Sequence, residues 1–331
     1  MAINFQRRDF ITLVGSATAW PVMAWAQQPQ KTPRVCFLTF DPGTLASTRF
    51  AAFFAGLRDL AYVDGQSITI DYLSAEGDSV RFPALAAKCL RLKADLIVAT
   101  STPAAQAAKN ATQTIPILFT ALGDPVGTGL VGSLARPGGN VTGMSAMFPE
   151  LASKRLGLLT QAVSGISRVL VLAYLADPIA HLQVRALQNA ARSSGVTLQI
   201  QDVRSSDDLP AAFETGVNER AEGLLATAES YFSVHGVRVT ELAAHHRLPA
   251  IYPNLQNAID RGGLMAYAPN SDDSYRRAAT YAARILKGAK PSDLPVQQPA
   301  TFELVINLKT AKTLGLTFPP GLLAIADRVV E

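Results

Sequence analysis

The 331-residue chain is poor in the residues that usually carry chemistry: it has two cysteines, four histidines and two tryptophans. Two thiols cannot build a disulfide scaffold or a four-cysteine zinc site. Cys36 falls in a run that reads as a core strand and Cys89 in helical spacing, so both are expected to be buried and free. His181, His235, His245 and His246 all fall in helical segments or at their starts, and the adjacent pair points to different sides of its helix, so no metal site is expected. G-x-S-x-G, H-E-x-x-H and C-x-x-C are all missing, which removes the common nucleophile and metal signatures of an enzyme. The net charge of +4 is small and unclustered, and setting aside Arg7, Arg8 and Asp9 lowers it to +3. That is no electrostatic footprint for nucleic acid.

Long apolar runs are also scarce. The one at Phe10–Met23 is shorter than the roughly 20 residues needed to span a bilayer. It follows Arg7-Arg8-Asp9-Phe10-Ile11, which resembles a bacterial twin-arginine export signal, and leads to small residues at Ala24-Trp25-Ala26. Gln6 and Thr12 depart from that signal and leave Sec export open. Residues 1–26 are therefore expected to be an export signal cleaved near Ala26, giving a periplasmic protein. No cysteine follows the cleavage point, so lipid attachment is not indicated.

What the chain does have is strand alternating with helix. Arg34–Phe40, Asp95–Thr100 and Ile115–Thr120 are short apolar runs of the kind buried on both faces of a parallel sheet. Helical spacing lies between them, at Thr48–Ala61 and Phe82–Leu92, and after Pro103 with Thr102 as its cap. A further helix is expected after Asp124-Pro125, with Leu130, Val131 and Leu134 on its apolar side. Gly127-Thr-Gly129-Leu-Val-Gly132 fits G-x-G-x-x-G, but its glycines fall inside that expected helix and a carboxylate stands at its entrance, so a nucleotide site is disfavoured.

After Ser145 the same alternation repeats, through strands at Arg168–Tyr174, Val196–Gln201, Gly223–Thr227, Pro249–Tyr252 and Gly263–Tyr267. A long amphipathic helix at Asp272–Lys287 follows. The tail reads as a strand at Phe302–Ile306 and short helices at Lys309–Leu314 and Leu322–Val330. The fold class is thus α/β, two Rossmann-like lobes of parallel sheet flanked by helices. The expected division is 34–145 plus 269–298 for the first lobe and 146–268 plus 299–331 for the second. The chain then crosses between lobes three times, a three-segment hinge.

In such sheets ligands meet the C-terminal ends of the strands. Those ends carry Thr39–Asp41, Thr100–Thr102, Thr120–Gly123, Tyr174–Asp177, Thr227–Ser230, Tyr252–Asn254 and Ala266–Tyr267. Hydroxyls and helix starts can hold a carboxylate, Asp and Glu an ammonium, and Tyr a planar group. Each hydroxyl can equally be an ordinary helix cap, and Asp177 and Glu229 can be capping or solvated groups.

The segments DPVGTGLVGSLARPGGNVTGMS and RGGLMAYAPNSDDSYRRAATYAARILKGAKPSDLPVQQPATFELVINLKTAKTLGL, with the ending PPGLLAIADRVVE, resemble the ABC transporter substrate-binding protein family, whose few known ligands include aromatic amino acids. The resemblance spans nearly the whole mature chain. It implies the type I periplasmic-binding-protein fold and a non-catalytic receptor that closes on a small polar or aromatic amino-acid-like solute. It also implies delivery to an inner-membrane ABC permease with its cytoplasmic ATPase, no cofactor or metal, and a monomer. By motif the ligand contacts would be Thr100, Ser101, Thr102, Thr120, Asp124 and Tyr267 from one lobe and hinge, with Tyr174, Glu229 and Asn254 from the other; Asp41 joins them from its strand end. Leu122, where relatives often carry glycine, and Ala266-Tyr267-Ala268, where they carry Ser-Tyr-Gly, point to a different cleft. The alternatives are a periplasmic sensor domain of a membrane signalling protein, or a periplasmic enzyme.

Overall fold

The computed structural model describes residues 32–42 and 50–331. The expected export signal and the start of the helix expected from Thr48 lie outside the described residues. Thr32–Glu331 forms one compact unit. In chain order its elements begin with β1 (Arg34–Thr39), α1 (Ala51–Asp59), β2 (Thr69–Ser74), α2 (Phe82–Arg91), β3 (Leu96–Ala99), α3 (Thr102–Ala111), β4 (Ile117–Leu122) and β5 (Val141–Ser145). There follow α4 (Phe148–Ala162), β6 (Arg168–Ala173), α5 (Pro178–Ser194), β7 (Thr197–Asp202), α6 (Asp208–Asn218), β8 (Gly223–Ala226), α7 (Ser230–Val234), α8 (Gly236–His245), β9 (Ala250–Tyr252) and α9 (Leu255–Ile259). The chain ends with β10 (Met265–Pro269), α10 (Ser271–Leu286), β11 (Phe302–Asn307), α11 (Leu308–Leu314), α12 (Pro320–Ala324) and β12 (Arg328–Val330).

Among the described residues the strands form two sheets, a parallel one in the order β2-β1-β3-β4-β5 and a second in the order β12-β11-β10-β9-β8-β6-β7. The second is parallel except where β10 meets β11. Alternate residues of β1 serve opposite faces of the first sheet. Val35 and Phe37 pack with α1 and α10 residues such as Phe53 and Ala279, whereas Cys36 and Leu38 pack with Phe82 and Ala104 of α2 and α3. Burial on both sides is why these strands are apolar throughout.

Although α10 follows a strand of the second sheet, it packs on α1 and β4. Gln297 then runs beside β5, accepting from Ser145 N at 2.7 Å and donating to Gly143 O at 3.1 Å, before the chain enters β11. Three connections, after β5, after β10 and after Gln297, thus run between the element groups.

Two expectations for local structure fail. Residues 125–136 form turns instead of a helix. Asp124 does cap the first turn, accepting from Val126 N and Gly127 N, but Gly129 takes a φ of 71° and ends it. Near the C-terminus, Arg328–Val330 is a strand paired with β11 rather than the end of a helix.

Cys36 and Cys89 are free and fully buried. A hydrogen bond between the thiols and desolvation push the Cys89 pKa well up, which removes the reactive thiolate. In the native protein both should be inert to an aromatic disulfide reagent, and both should react once guanidinium unfolds the chain. Rapid labelling of either in the folded state would contradict this packing.

Candidate functional site

The two sheet orders place their topological switch points at β1/β3 and at β6/β8. A crevice opens where neighbouring connections leave a sheet in opposite directions, so strand ends there face open space. Asp41 and Thr100–Thr102 follow β1 and β3, and Asp177 and Glu229 follow β6 and β8. All of them line one cleft of about 630 Å³, together with Phe148, Asn254 and Tyr275. That volume is within the roughly 300–1,000 Å³ of small-molecule sites.

On the first-lobe side, Ser101 caps α3, its Oγ accepting from Ala104 N at 3.4 Å. The cap is thus Ser101 and not Thr102, which is the first helical residue. The Thr100 and Thr120 hydroxyls are buried and have no hydrogen-bond partner among the described residues. The register Ala99↔Phe119 sets their backbones side by side on adjacent strands.

The opposite wall is acidic and dry. Asp177 is 3% exposed and Glu229 is 2% exposed. Asp177 caps α5 through Ile179 N at 3.2 Å, and Thr102 of α3 stands close enough to its carboxyl to hold its pKa down. Glu229 accepts from Gln183 Nε2 at 2.7 Å and Thr227 Oγ1 at 2.6 Å, and Gln183 Oε1 in turn accepts from Ala228 N at 2.8 Å. Desolvation pushes the Asp177 carboxyl up to about 7. Desolvation, and then the charge of Asp177, push Glu229 up to about 8. Such a pair favours a cation in the cleft.

Further contacts join the lobes. Ser230 Oγ donates to Thr100 O at 3.5 Å, and the hydroxyls of Ser79 and Tyr174 lie 2.8 Å apart. Phe40 meets Tyr174 edge-on at 5.9 Å, and Tyr174 stacks on Tyr231 at 4.8 Å. The hydrophobic core is continuous between the lobes through these rings. Tyr174→Phe deletes one hydrogen bond and keeps the stack. It should weaken ligand binding by about 0.5–1.5 kcal/mol, or up to about tenfold, measured by titration calorimetry.

Of the residues singled out in the sequence, Asp41, Thr100, Ser101, Thr102, Glu229 and Asn254 line the cleft, the last also capping α9 through Gln256 N. The other four do not. Thr120 is fully buried beneath the rim, and Asp124 is occupied in its own turn. Tyr174 lies in the aromatic bridge. Tyr267 stacks on Phe302 at 6.1 Å, and its carbonyl accepts from Arg155 Nε at 2.8 Å.

Arg155 is not among the residues that the sequence pattern singles out. It is 0% exposed, and Nη1 and Nη2 have no partner among the described residues. Burial lowers its pKa to about 9, opposed by the charge of Glu229. A sequence signal existed: Arg155 sits four residues from both Leu151 and Leu159, a charge on the buried stripe of α4.

Two α/β lobes with facing switch points define the type I periplasmic-binding-protein class. The chain belongs to the ABC transporter substrate binding protein family, whose model matches residues 45–330; it is therefore the solute-binding component of an ABC-type importer. The family is one of solute-binding proteins and not of enzymes, and its members work outside the cytoplasmic membrane with ABC transporter partners. A "Tyrosine-binding protein" of Clostridioides difficile (strain R20291) is 30% identical over 264 residues, covering 80% of this chain and 75% of that one. An ABC domain from Streptococcus pneumonia in complex with L-Trp superposes with a TM-score of 0.80 at 25% identity, covering 90% of this chain and all of the other. A substrate-binding protein with adhesive properties from Clostridium difficile, in a ligand-free, open structure, gives 0.62 at 27% identity, covering 90% of this chain and 99% of the other.

Proposed function

We propose that the cleft receives an aromatic L-amino acid and releases it unaltered. The observation that carries this reading is a buried acid pair, Asp177 and Glu229, set against the start of α3 in a single cleft. The ammonium turns to the acids, and the carboxylate turns to Ser101, Thr102 and the Thr100 hydroxyl, where helix dipole and hydroxyls favour an anion. The aromatic side group packs among Phe148, Ile179 and Tyr275. Relatives that carry tyrosine in their name or hold L-Trp support the choice of side group.

We further propose a hinge dividing 34–145 plus 269–298 from 146–268 plus 299–331, a monomeric protein, and no catalysis. We also propose export to the periplasm under Arg7-Arg8 with cleavage near Ala26. Mass spectrometry that found residues 1–26 intact on protein from cells would reject the export reading. For the ligand, titration calorimetry with L-tyrosine, L-tryptophan, L-leucine and D-tryptophan is expected to give tight 1:1 binding for the two aromatic L-amino acids alone. Equal affinity for L-leucine, or no binding of either aromatic, would reject it.

A further inference from the structure

Three charges are buried beside the cleft on different elements: Arg155 on α4, Asp177 at the start of α5 and Glu229 after β8. With every group ionised the set carries one uncompensated negative charge, and a lone charge in a dry site is costly. Resting on the amino-acid reading above, we infer that the ligand's ammonium is the fourth member of this set, that its arrival expels the protons Asp177 and Glu229 otherwise hold, and that Arg155 is the positioning residue whose charge limits how tightly Glu229 holds its proton.

Gln183 from α5 and Thr227, just after β8, donate neutral hydrogen bonds to Glu229, and Thr102 from α3 stands beside Asp177. The phenol of Tyr174 lies close enough to Asp177 for that charge to raise its own pKa, and Tyr267 stands beside Arg155. Asp41, Asp272 and Glu303 line the same cleft and add negative charge. Arg261 and Arg328 line it as well, but Arg261 is only half-buried and Arg328 is exposed, where water screens them. Arg155 is thus the buried cation among the described residues that acts on Glu229.

The balance is simple. A carboxylic acid of the pair and the protonated amine give a carboxylate–ammonium contact, and the proton leaves to solvent. Without the ligand the proton stays, because Asp177 and Glu229 are pushed up to about 7 and about 8. Binding must then tighten with rising pH until the pair ionises unaided.

The test is titration calorimetry on the exported chain from pH 5.5 to 8.5, with L-tryptophan and its des-amino counterpart indole-3-propanoate as probes. Each pH is run in two buffers of different ionisation enthalpy. For L-tryptophan the expected results are between about one and two protons released at pH 6.5, and a dissociation constant that tightens at least tenfold per pH unit around that pH before levelling near pH 8. Indole-3-propanoate should bind at least 100-fold more weakly, with no such tightening. Arg155→Met should move the levelling point up by a pH unit or more, and Arg155→Lys should hold it near the native value, a difference that a purely structural role would not produce. Should Arg155→Met not fold, proton release by the native chain still decides. Tight binding of L-tryptophan that is flat with pH and releases no proton overturns this inference alone. Failure to bind L-tryptophan at every pH overturns the amino-acid reading and this inference with it.

Discussion

Glu229→Gln is expected to bind an aromatic L-amino acid about thirtyfold to several thousandfold more weakly than the native chain, the roughly 2–5 kcal/mol lost when one partner of a buried charge pair is removed. The amide keeps the shape of the side chain. Its oxygen can still accept from Gln183, and the Thr227 hydroxyl can turn to accept from its NH₂, so folding survives. The same substitution changes the pH dependence of stability. Asp177 and Glu229 have folded pKa values of about 7 and about 8, above the ordinary values of about 3.9 and 4.3. Because the folded values are the higher ones, the unfolded chain loses these protons first as pH rises. Their stabilising contribution is whole below pH 4 and disappears as pH climbs through 7 and 8. For either carboxyl the full loss is on the order of 4 kcal/mol. The melting temperature of the ligand-free protein should accordingly fall between pH 5 and pH 9, and Glu229→Gln should make that fall shallower. A melting temperature that rises over the same range would contradict the buried acid pair.

Gly123→Val should prop the lobes apart while leaving each folded. Gly123 follows β4, and its φ is not positive, so a side chain introduces no backbone strain there. A Cβ at that position would lie 2.5 Å from Ile179 Cγ1 and 2.7 Å from Phe148 Cδ2, both on helices of the opposite lobe. Such contacts are well inside van der Waals distance and cannot persist in the closed form. The expected outcome is ligand binding weakened about ten- to hundredfold, matching the roughly 1–3 kcal/mol of overpacking. Far-ultraviolet circular dichroism should stay native. Native affinity in this variant would mean that binding does not require the lobes to approach at Gly123.

Both predictions depend on strand ends, and these were the most legible part of the sequence. Buried parallel strands announce themselves as apolar runs, as at Arg34–Thr39 and Leu96–Ala99, and the polar residues that end them mark the crevice. Asp41, Thr100–Thr102, Glu229 and Asn254 were reached in that way. What local pattern could not give was the partner of each group. Tyr174 has the composition of a ligand contact, but its ring is used up between Phe40 and Tyr231, whose positions depend on the fold. Asp124 has the signature of a helix cap and does cap a turn, yet glycine at 129 ends the helix before it propagates. Arg328–Val330 is a strand only because β11 offers it a ladder. Arg155 was hidden because a basic residue in a helix is usually solvated, and only the fold shows that its stripe faces inward.

Small-angle scattering with and without L-tryptophan tests the central claim most directly: two lobes close on a solute held between their switch points. The ligand-free protein should be the more extended, and added L-tryptophan should lower its radius of gyration until the profile matches the one calculated from the closed structure. Saturation confirmed by calorimetry with no change in the scattering profile would contradict it.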